Sequence, residues 1–235
     1  MPDKHLSTQF DAELSGVSSR VLEMGGLAES QLSRAIAALV AFDGDAAAQV
    51  LRDEQRINQL EMELDRDLSG IIARRQPTAR DLRLLIAISK IIANLERVGD
   101  EAARIGRVVQ RLIAGGLPGR LRLPVGDLQF ESDLAVAQLR KALDAFARLD
   151  TRMALDVLKH DDQIDQEFEG MMRKLITYMM EDPRTISSSI DLVFVAKAVE
   201  RVGDHAKNLA EAVIYIVKGA DVRHAPMADI ETAAK

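Results

Sequence analysis

A pentapeptide, Glu-Arg-Val-Gly-Asp, occurs twice in the chain, at residues 96–100 and 200–204, and carries two carboxylates each time. Residues i and i+4 share one face of a helix, so Glu96 faces the same way as Asp100, and Glu200 the same way as Asp204. Like charges at that spacing repel by about 0.2–0.5 kcal/mol. A chain that carries this cost twice invites a cation. Arg97 and Arg201 are one candidate, a bound metal ion the other, and the spacing favours neither. A related pair precedes each copy: Glu54 with Asn58, and Asp161 with Asp165. Hard oxygen donors of this kind suit Mg, Mn, Fe or Ca, whereas Zn usually takes His or Cys. The candidate metal ligands are therefore Glu54, Glu96, Asp100, Asp161, Asp165, Glu200 and Asp204. The candidate ions are divalent or trivalent: Mg, Mn, Fe or, less aptly, Zn.

These pairs need long helices to hold them. Apolar residues recur at helical spacing, without Pro, over Leu82–Ile113 and Ile190–Val217, so each pentapeptide falls in the middle of a helix. In each half the preceding helix runs antiparallel to it through a turn. Asn58 with Glu96 and Glu54 with Asp100 are both centred on residue 77, at the turn containing Pro77. Asp165 with Glu200 and Asp161 with Asp204 are centred on the turn containing Pro183. The carboxylates are therefore expected level with one another across a helix–helix seam. At about 100° per residue they fall at the edge of the apolar stripe, a half-wet position. An unpaired charge would be costlier in the deep core. Gly99 and Gly203 are expected to let the neighbouring helix approach closely.

Composition agrees with helices. Of 235 residues, 47% are hydrophobic, only 3% are aromatic and Trp is absent, so the core is built from Leu, Ile, Val, Ala and Met. There is no Cys, which excludes disulfide and thiolate chemistry. The net charge of −6 argues against nucleic acid as a partner. No run of about 18 apolar residues suggests a membrane span, and the polar N-terminus lacks the apolar region of a secretory signal. No Ser/His/Asp arrangement, phosphate loop or dinucleotide fingerprint is present. His160 and His205 adjoin motif carboxylates without forming the Glu-x-x-His pattern of di-iron oxidases.

The plan repeats along the chain. Helices are expected from Phe10 to Phe42, with a kink or local weakness at Gly25-Gly26, from Ala46 (capped by Asp45) to about Arg75, and then to about Ile113. A Gly- and Pro-rich linker follows. Further helices are expected at Leu128–Leu149, from Thr151 to about Met180, and at Ile186–Lys218, with a loose polar tail from Ala220. The first two helices of each half align at an offset of 107 and the third at 104. The expected fold is all-α, two tandem pseudo-symmetric three-helix bundles: residues 1–116, a linker over 117–126, and residues 127–235.

At these residues the chain resembles the PhoU family of regulators associated with phosphate-specific transport. The resemblance covers nearly the whole length. It includes His5–Asp11, Ala73–Arg83 around the first turn, both Glu-Arg-Val-Gly-Asp segments and Tyr178–Asp182 at the second turn. It implies a cytoplasmic, often dimeric protein without catalytic activity, binding metal ions through Glu/Asp-x-x-x-Asp motifs. Asn58 departs from that motif, so the first-half site is expected to be weaker or to hold fewer ions. The resemblance further implies an adaptor between the ATPase of the phosphate transporter and a membrane sensor histidine kinase. Such an adaptor acts as a negative regulator of phosphate uptake and of the phosphate-starvation response, and meets the membrane only through its partners. A metal-carboxylate enzyme on a helical bundle and a purely structural, metal-free dimer are the alternatives.

Overall fold

The computed structural model describes residues 8–116 and 124–234. Within them lie α1 (Thr8–Ala41), α2 (Gly44–Arg75), α3 (Ala79–Ala114), α4 (Val125–Arg148), α5 (Thr151–Lys159), α6 (Asp161–Glu181), α7 (Ile186–Lys218) and α8 (Met227–Ala234), with a 3₁₀ turn over Pro183–Thr185. No strand occurs among the described residues. Helices α1–α3 form one bundle, and α4 with α5, α6 and α7 forms another. The two join through α3 against α7 and α1 against α4. Each central helix buries an apolar stripe: Leu85, Ile88, Ile92, Leu95 and Val98 on α3, and Leu192, Val195, Val199 and Val202 on α7. The side chains of residues 1–7 and 117–123, which include part of the expected linker, lie outside the described residues; Gly126, expected in that linker, is already in α4.

The two halves repeat down to single side chains. Asp43 caps α2 by accepting from the Ala46 N–H at 2.9 Å, and Asp150 caps α5 by accepting from the Arg152 N–H at 2.8 Å. The expected cap, Asp45, instead sits inside the first turn. Phe42 and Leu149, one residue before each cap, both adopt the left-handed conformation, with φ of 51° and 50°. Buried Gln31 donates to the Val50 carbonyl at 2.9 Å, and Gln138, 107 residues later, donates to the His160 carbonyl at 2.6 Å. Helices α3 and α7 run antiparallel. Arg111 meets Asp191, Glu101 meets Arg201 and Asn94 meets Asn208, all pairs centred on residue 151.

Three expectations are corrected. Helix α1 runs unbroken through Gly25-Gly26, because Gly25 is a close approach and not a kink: a Cβ there would stand 2.4 Å from Leu143 of α4. The helix expected from Thr151 to Met180 is interrupted at His160 (φ −104°, ψ 8°). There the His160 N–H bonds back to the Val157 carbonyl at 3.2 Å, and the ring Nδ1 lies 2.8 Å from the Asp156 carbonyl, so the regular ladder is broken. The tail is not loose either. Val222, Ile230 and Ala234 are buried, Thr151 donates to the Ala234 carbonyl at 2.9 Å, and Lys159 pairs with Glu231 at 2.5 Å, holding α8 against α5.

Candidate metal centre

The second-half carboxylates converge from α6 and α7. The break at His160 puts Asp161 in the first turn of α6, where unpaired N–H groups and the helix dipole favour an anion. Asp161 is buried, and Asp161, Asp162 and Asp165 bring carboxylate oxygens within 4.8 Å of one another. Across the seam, Glu200 and Asp204 face them. Gly203 makes this possible, since a Cβ in its place would stand 2.8 Å from Ile164 Cδ1 on α6. The electrostatics record the convergence. Asp204 is pushed above the usual aspartate range by burial first, then by Glu200, Asp161 and Asp165. Asp165 is raised by burial, then by Asp161 and Glu200.

The first half repeats this geometry between α2 and α3. A Cβ on Gly99 would stand 3.0 Å from Ile57 Cδ1, the counterpart of Ile164. Glu54 is raised by burial, opposed by Arg107 at 3.7 Å, and raised further by a hydrogen bond with Asp100. Glu96 is raised by burial, then by Asp100 and by Glu61. Glu61 is a residue the pentapeptide reasoning missed. It lies seven residues after Glu54, on the same face of α2, and is raised by burial, Asp65 and Asp100. Asn58 stays in the cluster with a buried, unpartnered side-chain oxygen. Glu61 thus returns to the first half a carboxylate that Asn58 removes.

The two arginines of the pentapeptides differ in what they meet, and Arg97 partly opposes the rise of Glu96. Arg201 donates to Glu101 at 3.1 Å, across the seam between halves, and Arg97 reaches Glu96 as a Coulombic neighbour. The cations on the second-half cluster are lysines. Lys197 donates to Glu200 Oε1 at 2.6 Å, and Lys207 pairs with Asp161. Two lysines leave charge over on four facing carboxylates. Glu200 Oε2 is buried without a hydrogen-bond partner. An all-oxygen donor set on two helices, with an orphaned carboxylate oxygen facing inward, fits a hard divalent or trivalent cation.

The two clusters are not remote from one another. Because α3 and α7 pair about residue 151, Glu96 stands within two residues of the level of Asp204, and Asp100 within two of Glu200. A groove of about 1620 Å³ runs over this waist, bordered by Glu96 and Asp100 on one side, Asp161 and Asp204 on the other, and α8 at its rim. Its wall includes half-buried His205, held well below its ordinary value, at about 4, by burial and by Arg97 and Arg201; its Nδ1 lies 3.0 Å from Asn94 Oδ1.

A doubled three-helix bundle with an acidic seam in each copy defines a class, and comparison with known proteins identifies it. The PhoU domain model matches twice, at residues 21–109 and 131–213. The chain belongs to the PhoU family. It is 51% identical over 224 residues to the phosphate-specific transport system accessory protein PhoU homolog of Burkholderia sp, covering 95% of both chains. It is 43% identical to the accessory protein PhoU of Escherichia coli K12, over 94% of this chain and 90% of that one. Among solved structures, it resembles PhoU from Pseudomonas aeruginosa, with a TM-score of 0.83 and 44% identity over 90% of this chain and all (100%) of the other. PhoU from Streptococcus pneumoniae, described as a phosphate transport system regulatory protein, superposes with a TM-score of 0.82 at 26% identity, over 90% of this chain and 98% of that one.

Proposed function

We propose that this chain is a non-enzymatic negative regulator of phosphate uptake and of the phosphate-starvation response, acting on the cytoplasmic face as a metal-binding adaptor. Its partners are the ATPase subunit of the phosphate transporter and a sensor histidine kinase, and it works as a homodimer. The names of its relatives support a place in phosphate transport. Among the described residues no helix is long and apolar enough to cross a membrane, so membrane contact would come through the partners. The observation that carries the adaptor reading is the waist: two acidic clusters at one height, opening on one long groove. In each half, carboxylates from two helices face one another and resist approach. A bound hard cation supplies the opposing charge. Glu54, Glu61, Glu96 and Asp100 would hold it in the first half, and Asp161, Asp165, Glu200 and Asp204 in the second. The protein's own groups then set the spacing of α2 from α3 and of α6 from α7, and with it the shape of the docking face.

The test has two arms. Elemental analysis of purified protein should find metal in the wild type and a large loss in an Asp161→Asn/Glu200→Gln variant; unchanged content would remove the metal site. Affinity capture from a phosphate-replete extract should recover the transporter ATPase or the sensor kinase. Failure to recover either across several phosphate conditions would remove the adaptor role.

A further inference from the structure

Glu131 of α4 is the most deeply buried carboxylate in the second bundle, at 1% exposure, and neither of its oxygens has a hydrogen-bond partner. Nothing in the repeat motif accounts for it. The offset of 107 that superposes Gln31 on Gln138 and Phe42 on Leu149 places fully buried Met24 of α1 at the same position in the first half. A thioether there needs nothing, whereas a carboxylate does. Its electrostatic neighbours are exposed Glu167 on α6 and Glu200 on α7. Glu200 arrives with its own orphan, Oε2. The cation on Glu200, Lys197, takes only the other oxygen: it donates to Glu200 Oε1 at 2.6 Å and lies 5.2 Å from the centre of the Phe168 ring. Protonating Glu131 would remove its charge and still leave its O–H and carbonyl without partners. A hard cation held between Glu131 and Glu200 would give these buried oxygens the partner they lack.

We propose that Glu131 is an inner metal ligand from a third helix, which with Glu200 extends the second-half centre into the bundle interior and makes it differ from the first-half centre. This rests on the metal-binding reading above, and the two fail differently. A small divalent ion such as Mn2+ fits this oxygen-only set. The alternative is a neutral acid that merely fills space. Glu131→Gln separates them, since glutamine copies the neutral acid in size and polarity and lacks the charge.

The experiment is titration of chelator-stripped full-length protein with Mn2+ alone, followed by calorimetry and by the shift in unfolding temperature. Glu131→Gln should lose one bound Mn2+ per chain or bind it at least about tenfold more weakly (about 1.4 kcal/mol), and lose most of the Mn2+-induced thermal shift. Met24→Gln, the same test in the first half, should leave Mn2+ binding as in the wild type. If Glu131→Gln titrates like the wild type while Asp161→Asn/Asp165→Asn does not, the inner ligand is refuted and the metal site stands. If the wild type binds no Mn2+, both are refuted. Should Glu131→Gln fail to fold, Glu131→Met, which installs the first-half residue, carries the same comparison.

Discussion

Gly203→Ala tests the contact on which the second-half site depends. The new Cβ would stand 2.8 Å from Ile164 Cδ1 and 3.5 Å from its Cγ2. Comfortable carbon contacts lie at about 3.5–4.0 Å, so one methyl is in the way. Overpacking of this kind costs about 1–3 kcal/mol. Alanine in place of glycine in a helix interior returns about 0.5–1 kcal/mol. The single variant should therefore be destabilised by a net of about 0–2.5 kcal/mol. Ile164→Val alone removes the offending Cδ1 and should cost about 0.5–1.5 kcal/mol. In the double variant there is no methyl left to clash and the helix gain survives. The two changes should then miss additivity by at least about 1 kcal/mol in the stabilising direction, against the ~0.3–0.5 kcal/mol scatter of independent sites. Urea unfolding of the four proteins in chelator, followed by far-ultraviolet circular dichroism, measures this. Additive behaviour would refute the claim that Gly203 lets α6 and α7 close on one another. The pair Gly99 and Ile57 should behave alike, with less room to yield because Gln31 Oε1 lies 3.3 Å from the absent Cβ.

Four further outcomes follow from the geometry. Glu101 is 5% exposed and shared by Arg201 at 3.1 Å and Arg104 at 3.4 Å; Glu101→Gln should cost about 1–2 kcal/mol in urea unfolding, because the half-exposed arginines can resolvate. Glu131 is raised from 4.5 to about 8 by burial, then by Glu167 and Glu200. A group raised in the folded state adds stability that is complete below its unfolded value and is lost as the pH climbs through the folded one. Metal-free protein should accordingly melt at falling temperatures from pH 5 to pH 9, and a Glu131→Gln variant should show a flatter profile. Leu149 holds a φ of 50° with a side chain 38% exposed; Leu149→Asn should raise stability by about 0.5–1 kcal/mol, since asparagine tolerates that conformation, and a loss would show that the leucine packing outweighs the strain. Ile230 is 6% exposed on α8; Ile230→Ala should cost about 2 kcal/mol and speed proteolysis of the C-terminal segment.

Much of this architecture was legible from spacing. Helical periodicity placed α3 and α7, and antiparallel hairpins about Pro77 and Pro183 placed the carboxylates level across their seams. What was missed has physical reasons. At the interruption the His160 ring turns back to the Asp156 carbonyl while Gln138 of α4 takes the His160 carbonyl, and no local propensity marks that combination. Gly25-Gly26 looked like weakness because a glycine's cost within a helix is local, whereas its benefit, the approach of Leu143, is tertiary. The tail looked polar because Val222, Ile230 and Ala234 are sparse, yet together they suffice to dock α8. Glu61 was findable, being two turns along the face that carries Glu54. Glu131 was findable too: it interrupts the apolar positions Leu128, Ala135, Leu139 and Ala142, where a charge has no ordinary reason to be.

The pairing of α3 with α7 about residue 151 has one more consequence. A single rigid visitor laid across the middle of the molecule would touch both copies of the repeat at the same moment. It need not bend or walk from one to the other. Such a visitor would meet the duplicated chain as one surface carrying the same mark twice.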